Sequence, residues 1–162
     1  MKTSLRSHVC NEIDVKDVNR KVSLCGWVSS RRDHGGVIFI DLRDRYGITQ
    51  VVFDPSFNKH THEQADYLRR EDCIQAQGIV KKRKKGMENK NLKTGKIEIF
   101  ADKLHVFSKA DVPPFEIDDR IEANEELRLK YRYLDLRRPI MQHNLRFRNK
   151  VDNIHLYEST GN

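Results

Sequence analysis

Three alternating segments joined by short turns, then one short helical segment, then two more alternating segments predict an all-β OB-fold: a five-stranded Greek-key barrel with one helix between strands 3 and 4. A proline-containing break and a helical stretch follow, which predict a short helical hinge or appendage. An SH3-like barrel is the main competitor, but it rarely carries a full helix at that place.

The first strand is KVSLCGWVSSRR, where Val22, Leu24, Gly26 and Val28 alternate with Lys21, Ser23, Cys25 and Trp27. Period two with β-branched residues marks a half-buried strand. HGG at 34–36 is the turn into a second strand, VIFIDLRD, which RYG closes with Gly47 as the turn glycine. ITQVVF is the third strand, completing an antiparallel meander. In NKHTHEQADYLRRED, Thr61 and Gln64 have capping-box spacing, and Ala65 and Leu68 supply one apolar face of a short helix. CIQAQGIVKKR is the fourth strand, with Gly78 at a bend or bulge. After the polar loop KKGMENKNLKTG, KIEIFADKLHVF is a fifth strand, or two short ones split near Asp102.

The expected organisation is a barrel domain over 1–108, a linker over 109–123 stiffened by Pro113 and Pro114, and helices over 124–162. Asn124 is placed as an N-cap, with Glu125 and Glu126 favourable in the first turn. Leu127, Tyr131 and Leu134 then share one face of an amphipathic helix over 124–136, and Pro139 opens a last helix.

The chain has 162 residues and a formal net charge of +7, which points to a polyanionic partner, nucleic acid first. The alternative is a basic but inert surface. A mean hydropathy of −0.77 and the lack of a run near the roughly 20 apolar residues of a membrane span exclude an integral membrane protein. The N-terminal stretch has no apolar core, so no signal peptide is expected. Cys10, Cys25 and Cys73 are odd in number and lack a CxxC pair, as in a cytoplasmic protein with reduced thiols. His60 and His62 form a lone HxH, read as a solvated loop, so no metal site is expected. No nucleotide-loop, metalloprotease or serine-hydrolase motif occurs, and Asp118 and Asp119 read as caps; no catalytic residue is expected.

A single-strand binder needs aromatic faces for bases and cations for the backbone. OB-folds offer these on strands two and three and in flanking loops. Phe39 in strand two, Gln50 in strand three, and Arg31 and Arg32 at the end of strand one fit that face. The competing reading makes Phe39 core and turns Ile38 and Ile40 outward, and both faces of VIFI are apolar. KKRKK at 81–85 reads as a solvated loop or phosphate funnel, interleaved with Asn89, Asn91 and Glu98, groups able to read base edges. Glu98 could instead pair with Lys96 or Lys81 across strands.

LCGWV, RRDHGGVIFIDLRDRYGITQVVFDP, TGKIEI, PPF and EELRLKYRYLDLRRPIMQHNLRFRNKV together resemble the N-terminal part of bacterial-type aspartyl-tRNA synthetases, from about Arg6 to Val151. The resemblance implies an anticodon-binding OB-fold and a hinge toward a class II catalytic domain. It implies that Phe39 stacks on the middle anticodon base, a uracil, and that Gln50 hydrogen-bonds it. It further implies that Arg32 reaches the anticodon stack, that Glu98 reads the guanine-like first base, and that Arg83 and Asn89 meet the third base and backbone. His34 and Gly86 match non-discriminating members, which charge both the aspartate and the asparagine tRNA. Full-length members are cytoplasmic homodimers that use ATP and Mg. Those chains are several times longer and continue past the position of Val151 into catalytic motifs, where this one has DNIHLYESTGN. Aminoacylation by this chain alone is therefore not expected, and it needs no cofactor of its own. A generic single-stranded nucleic-acid-binding module is the alternative. A third possibility is an interaction module whose exposed helical face seeks a catalytic partner.

Overall fold

The computed structural model describes residues 5–159, with side chains to 153. It divides into two compact units, Met1–Val112 and Pro113–Asn162. Residues 109–112, expected in a linker, fall in the first unit.

The first unit is a closed barrel of five strands: β1 (Lys21–His34), β2 (Val37–Arg43), β3 (Ile48–Phe53), β4 (Cys73–Lys82) and β5 (Ile97–Ser108), in the order β1-β2-β3-β5-β4. Only the β3–β5 pairing is parallel. The alternation in the sequence becomes the inside and outside of the barrel. Leu24, Val28, Ile38, Ile40, Leu42, Val51, Ile74, Val80, Ile97 and Ile99 are buried in one core. Ile38 and Ile40 lie inside and Phe39 is half-exposed, which overturns the reading of Phe39 as core.

The helix α1 (Lys59–Asp66) sits between β3 and β4, and Ala65 and Leu68 join the barrel core as its apolar face implies. Its cap differs from the expected one. Asn58 is the N-cap and accepts from Thr61 N at 3.0 Å, while Thr61 is buried and donates its hydroxyl to Asp102 O. Asparagine caps as well as threonine, and the buried carbonyl recruits the Thr61 hydroxyl. The segment before β1 also contributes: Cys10 and Ile13 belong to the core, and Cys10 N donates to Asp44 Oδ2. Burial raises the pKa of the Cys10 thiol, and Cys10, Cys25 and Cys73 form no disulfide with one another.

Of the three register shifts among the described strands, two bear on the outer face. In β1, the register with β2 shifts between Val28 and Ser30. Val28 faces the core opposite Leu42, but Ser30 pairs with Asp41 and Arg32 with Phe39. The extra residue, Ser29, reverses the strand's parity and brings Arg32 to the outer surface. In β5, the first of the two readings holds: one strand runs through Asp102, which is the extra residue of a bulge between Gln77↔Lys103 and Gly78↔Ala101.

The second unit holds α2 (Glu125–Lys130), α3 (Arg132–Asp135) and α4 (Pro139–Ser159). Asn124 caps α2 by accepting from Leu127 N at 2.9 Å. The single helix expected over 124–136 is two short ones, because Tyr131 at φ −108°, ψ 45° breaks the helical path. Pro139 opens α4 as expected. The tail 160–162 lies outside the described residues.

Candidate nucleic-acid interface

The site is built on the outer faces of β1, β2, β3, β5 and β4, where residues in register share a face. One row runs Arg32, Phe39, Val52, Phe100, Ile79. The next runs Ser30, Asp41, Gln50, Glu98, Lys81, with Gln50 and Glu98 joined by a hydrogen bond. Arg32, Phe39, Gln50 and Glu98, distant in sequence, therefore occupy neighbouring places on one sheet.

Their side chains are held by each other. Asp41 accepts from Ser30 Oγ at 2.6 Å and from Arg32 Nη2 at 3.0 Å. Arg32 remains 54% exposed, so its guanidinium is both oriented and accessible. Gln50 Nε2 donates to Glu98 Oε2 at 3.4 Å. Gln50 itself is only 6% exposed, so its amide is fixed rather than free to swing. Burial pushes the Glu98 carboxyl above its ordinary value, and the charges of Arg83, Lys81 and Lys84 oppose this. The alternative pairing of Glu98 with Lys81 or Lys96 is not made as a salt bridge. Lys81 lies opposite Glu98 in register, but its ammonium sits over the rings of Phe100 and Phe57.

Arg83 is not part of a solvated run. Lys81 and Lys82 still belong to β4, and Arg83 is buried at its exit, with Nε donating to Ile97 O at 3.0 Å. Burial lowers the pKa of its guanidinium, while the nearby charges of Glu98 and Asp41 raise it. Its Nη2 has no protein partner among the described residues. Lys84 and Lys85 are exposed in the loop that follows. The run KKRKK thus divides between strand, interior and loop.

Three expected site residues lie in turns and loops away from this ladder. His34 is exposed at the end of β1, before Gly35 (φ 61°) and Gly36 (φ 76°), the left-handed pair of a tight hairpin turn. Gly86, at φ 88°, lies in the β4–β5 loop with open space around it. Asn89 organises that loop: its N donates to Gly95 O, and its Oδ1 accepts from Asn91 N. Arg31, the other arginine of the hairpin, pairs with Asp66 at 2.6 Å instead of joining the face.

Sequence reasoning missed Asp41, Phe100 and Phe57, and it read Lys81 as part of a solvated run or phosphate funnel without its aromatic partners. Asp41 and Phe100 were legible by parity, two places from Phe39 and Glu98 respectively. Phe57 follows β3 in a turn, where no periodicity points to it. Among the described residues there is no metal-binding group of His, Cys, Asp or Glu and no helix long and apolar enough to cross a membrane.

An aromatic, a flexible cation, an amide and a carboxylate on one curved sheet, flanked by a basic loop, can stack a base, hold phosphates and read base edges. Comparison with known proteins agrees. The chain is 51% identical over 146 residues to an aspartate–tRNA(Asp/Asn) ligase of Halothermothrix orenii, covering 90% of this chain and 25% of the ligase. It spans about a quarter of the length of the curated relatives it matches. Its fold resembles asparaginyl-tRNA synthetase from Pyrococcus horikoshii, with a TM-score of 0.68, 32% identity, and coverage of 82% of this chain and 30% of that one. An aspartyl-tRNA synthetase from Entamoeba histolytica has the same fold at a TM-score of 0.85 and 19% identity, covering 99% of this chain and 38% of that one. Residues 22–107, which contain the whole ladder from Ser30 to Glu98, match the tRNA anti-codon family of OB-fold nucleic acid binding domains, and the chain belongs to that family.

Proposed function

We propose that the ladder binds the anticodon loop of the aspartate tRNA, and of the asparagine tRNA as well, as the anticodon-recognition part of an aspartate–tRNA ligase. The observation that carries the reading is the row Asp41–Gln50–Glu98, with Gln50 bonded to Glu98, beside the half-exposed Phe39. Phe39 offers a ring for the middle base. Gln50, already oriented by Glu98, hydrogen-bonds that base. Glu98 accepts from the N–H groups of a guanine-like first base, and Arg32, oriented by Asp41, reaches the stack. Arg83 and Asn89 support the third base and the backbone: Arg83 as a charge fixed near Glu98 and Asp41, Asn89 by shaping the loop. His34 is exposed in the β1–β2 turn and Gly86 has open space around it in the β4–β5 loop, which supports acceptance of both tRNAs. The dual tRNA(Asp/Asn) designation of the relatives supports it too.

The chemistry of aminoacylation belongs to the remainder of a longer ligase. In this reading that ligase uses ATP and Mg and works as a cytoplasmic homodimer. Binding to three stem-loops at two salt concentrations tests the reading. The loops carry the aspartate anticodon, the asparagine anticodon and an unrelated one. The expected result is preference for the first two, and equal affinity for them supports dual recognition. Equal, salt-sensitive binding of all three reduces the chain to a generic single-strand binder.

A further inference from the structure

We infer that Phe57, Lys81 and Phe100 form a second nucleotide platform, continuous with the ladder, for the nucleotide on the 5′ side of the anticodon: its base against the Phe57 ring, its phosphate at the Lys81 ammonium. The inference rests on the anticodon reading above, which fixes the direction of the RNA strand. The two rings meet edge to face, with centroids 5.8 Å apart and planes at 78°. Lys81 Nζ lies 3.9 Å from the Phe100 centroid and 4.8 Å from that of Phe57. Phe57 is 37% exposed, so part of its ring is open to solvent.

Continuity comes from register. Phe100 follows Val52 in the row that begins with Arg32 and Phe39, and Lys81 follows Glu98 in the row that begins with Ser30. With the middle base at Phe39 and Gln50 and the first base at Glu98, the strand moves from β2 and β3 to β5. One further step in the same direction is 5′ of the triplet and arrives at Lys81 on β4. Lys81 makes no salt bridge with a carboxylate among the described residues, although Glu98 is opposite; its cation feels the charges of Glu98 and Asp54 and rests over the two ring faces. A cation so placed can accept a phosphate without first breaking a salt bridge. Stacking on a phenylalanine tolerates any base, so this platform adds affinity and not specificity.

A coupling experiment on the full chain tests this. The probes are stem-loops with the aspartate anticodon, with either an intact or an abasic nucleotide immediately 5′ of the triplet. The abasic change is expected to weaken binding by wild type roughly fivefold to a hundredfold. It should add no loss in Phe57→Ala, because the ring that the base uses is gone. Lys81→Gln should reduce the slope of log affinity against log salt by about 0.7, one phosphate contact to a single strand. Thermal melting checks that Phe57→Ala is folded. If it is not, Phe57→Leu, which keeps apolar contact with Phe100 but lacks a flat face, is read by the same criterion. Equal binding of both RNAs by wild type, or equal abasic losses in wild type and the variant, overturns the platform. If wild type loses preference for the aspartate triplet over an unrelated one, the anticodon reading fails, whatever the coupling shows. A retained triplet preference without coupling sinks the platform alone.

Discussion

Phe39 shows how little of a binding residue can be decided by its own type. In VIFI every residue is apolar, and the sequence alone left both parities open. The structure decides because Ile38 and Ile40 fill the barrel, leaving Phe39 half-exposed beside Arg32. Phe39→Ala should therefore lower affinity for the anticodon loop by roughly fivefold to a hundredfold, the range of one lost base stack. Its thermal midpoint should stay close to wild type; unfolding of the variant would return Phe39 to the core. Glu98 carries a pH dependence. Burial raises its pKa above the ordinary 4.5, against the opposing charges of Arg83, Lys81 and Lys84. A raised carboxyl pKa contributes to stability at pH below 4.5, and that contribution is lost as pH rises through the raised value. Binding has the opposite sign, because the form that accepts from guanine is the carboxylate. Affinity should fall as pH drops through the raised value, before an ordinary glutamate would protonate. Removing the largest opposing charge in Arg83→Gln should move that midpoint higher still. Binding titrations across pH measure both, and an unmoved midpoint separates Arg83 from Glu98.

At the scale of elements, the strands and turns were legible because each obeys local rules. Alternation gave the five strands, Gly35–Gly36 gave the hairpin, and Gly78 marked a bulge. Features set by partners far along the chain were not legible. Ser29 could not be identified as the bulge that reverses β1, because its effect appears only against Asp41 and Leu42 on β2. The cap of α1 went to Asn58 rather than Thr61 because Asp102 O, 41 residues from Thr61, takes the threonine hydroxyl. Gly78 is where the two kinds of information meet. A Cβ there would lie 2.1 Å from Phe100 O and 2.8 Å from Ala101 Cα, both backbone atoms that the barrel cannot easily move. Gly78→Ala should cost more than about 2 kcal/mol in denaturant unfolding. It should also weaken RNA binding in the folded fraction, since it displaces Phe100 and the strand that carries Glu98. Wild-type stability in this variant would show that the bulge relaxes without cost.

At the scale of the whole molecule, the two units divide the legible features between them. The barrel carries every side chain of the ladder, whereas the second unit is organised by a charge cluster that periodicity does not report. Within YRYLDLRR and the residues before it, the spacing read as an apolar helix face also places Arg128, Arg132 and Arg138 around Asp135, which is fully buried. Asp135 receives Arg128 Nε at 3.1 Å, Arg132 Nη1 at 2.7 Å and Arg138 Nη1 at 2.9 Å. Arg138 Nε also donates to Asp118 O, so the cluster ties α3 to the segment before α2. Burial raises the Asp135 pKa, but the bonds from Arg128 and Arg138 outweigh it and hold the group below its ordinary 3.8. A depressed carboxyl pKa gives stability that is present above 3.8 and lost as pH falls through the depressed value. The unit should thus hold to mildly acid pH and open below it. Asp135→Asn removes the charge while nearly keeping the shape, and leaves arginines without their counter-ion. It should destabilise this unit by about 3–5 kcal/mol, the usual cost of stripping one partner from a buried pair. Because every ladder residue belongs to Met1–Val112, binding of the anticodon stem-loop should survive the substitution. Proteolysis at neutral pH reads both at once: faster cleavage after Val112 with affinity retained is the expected pair. Loss of affinity together with loss of the helices would show that the barrel depends on the second unit for its function.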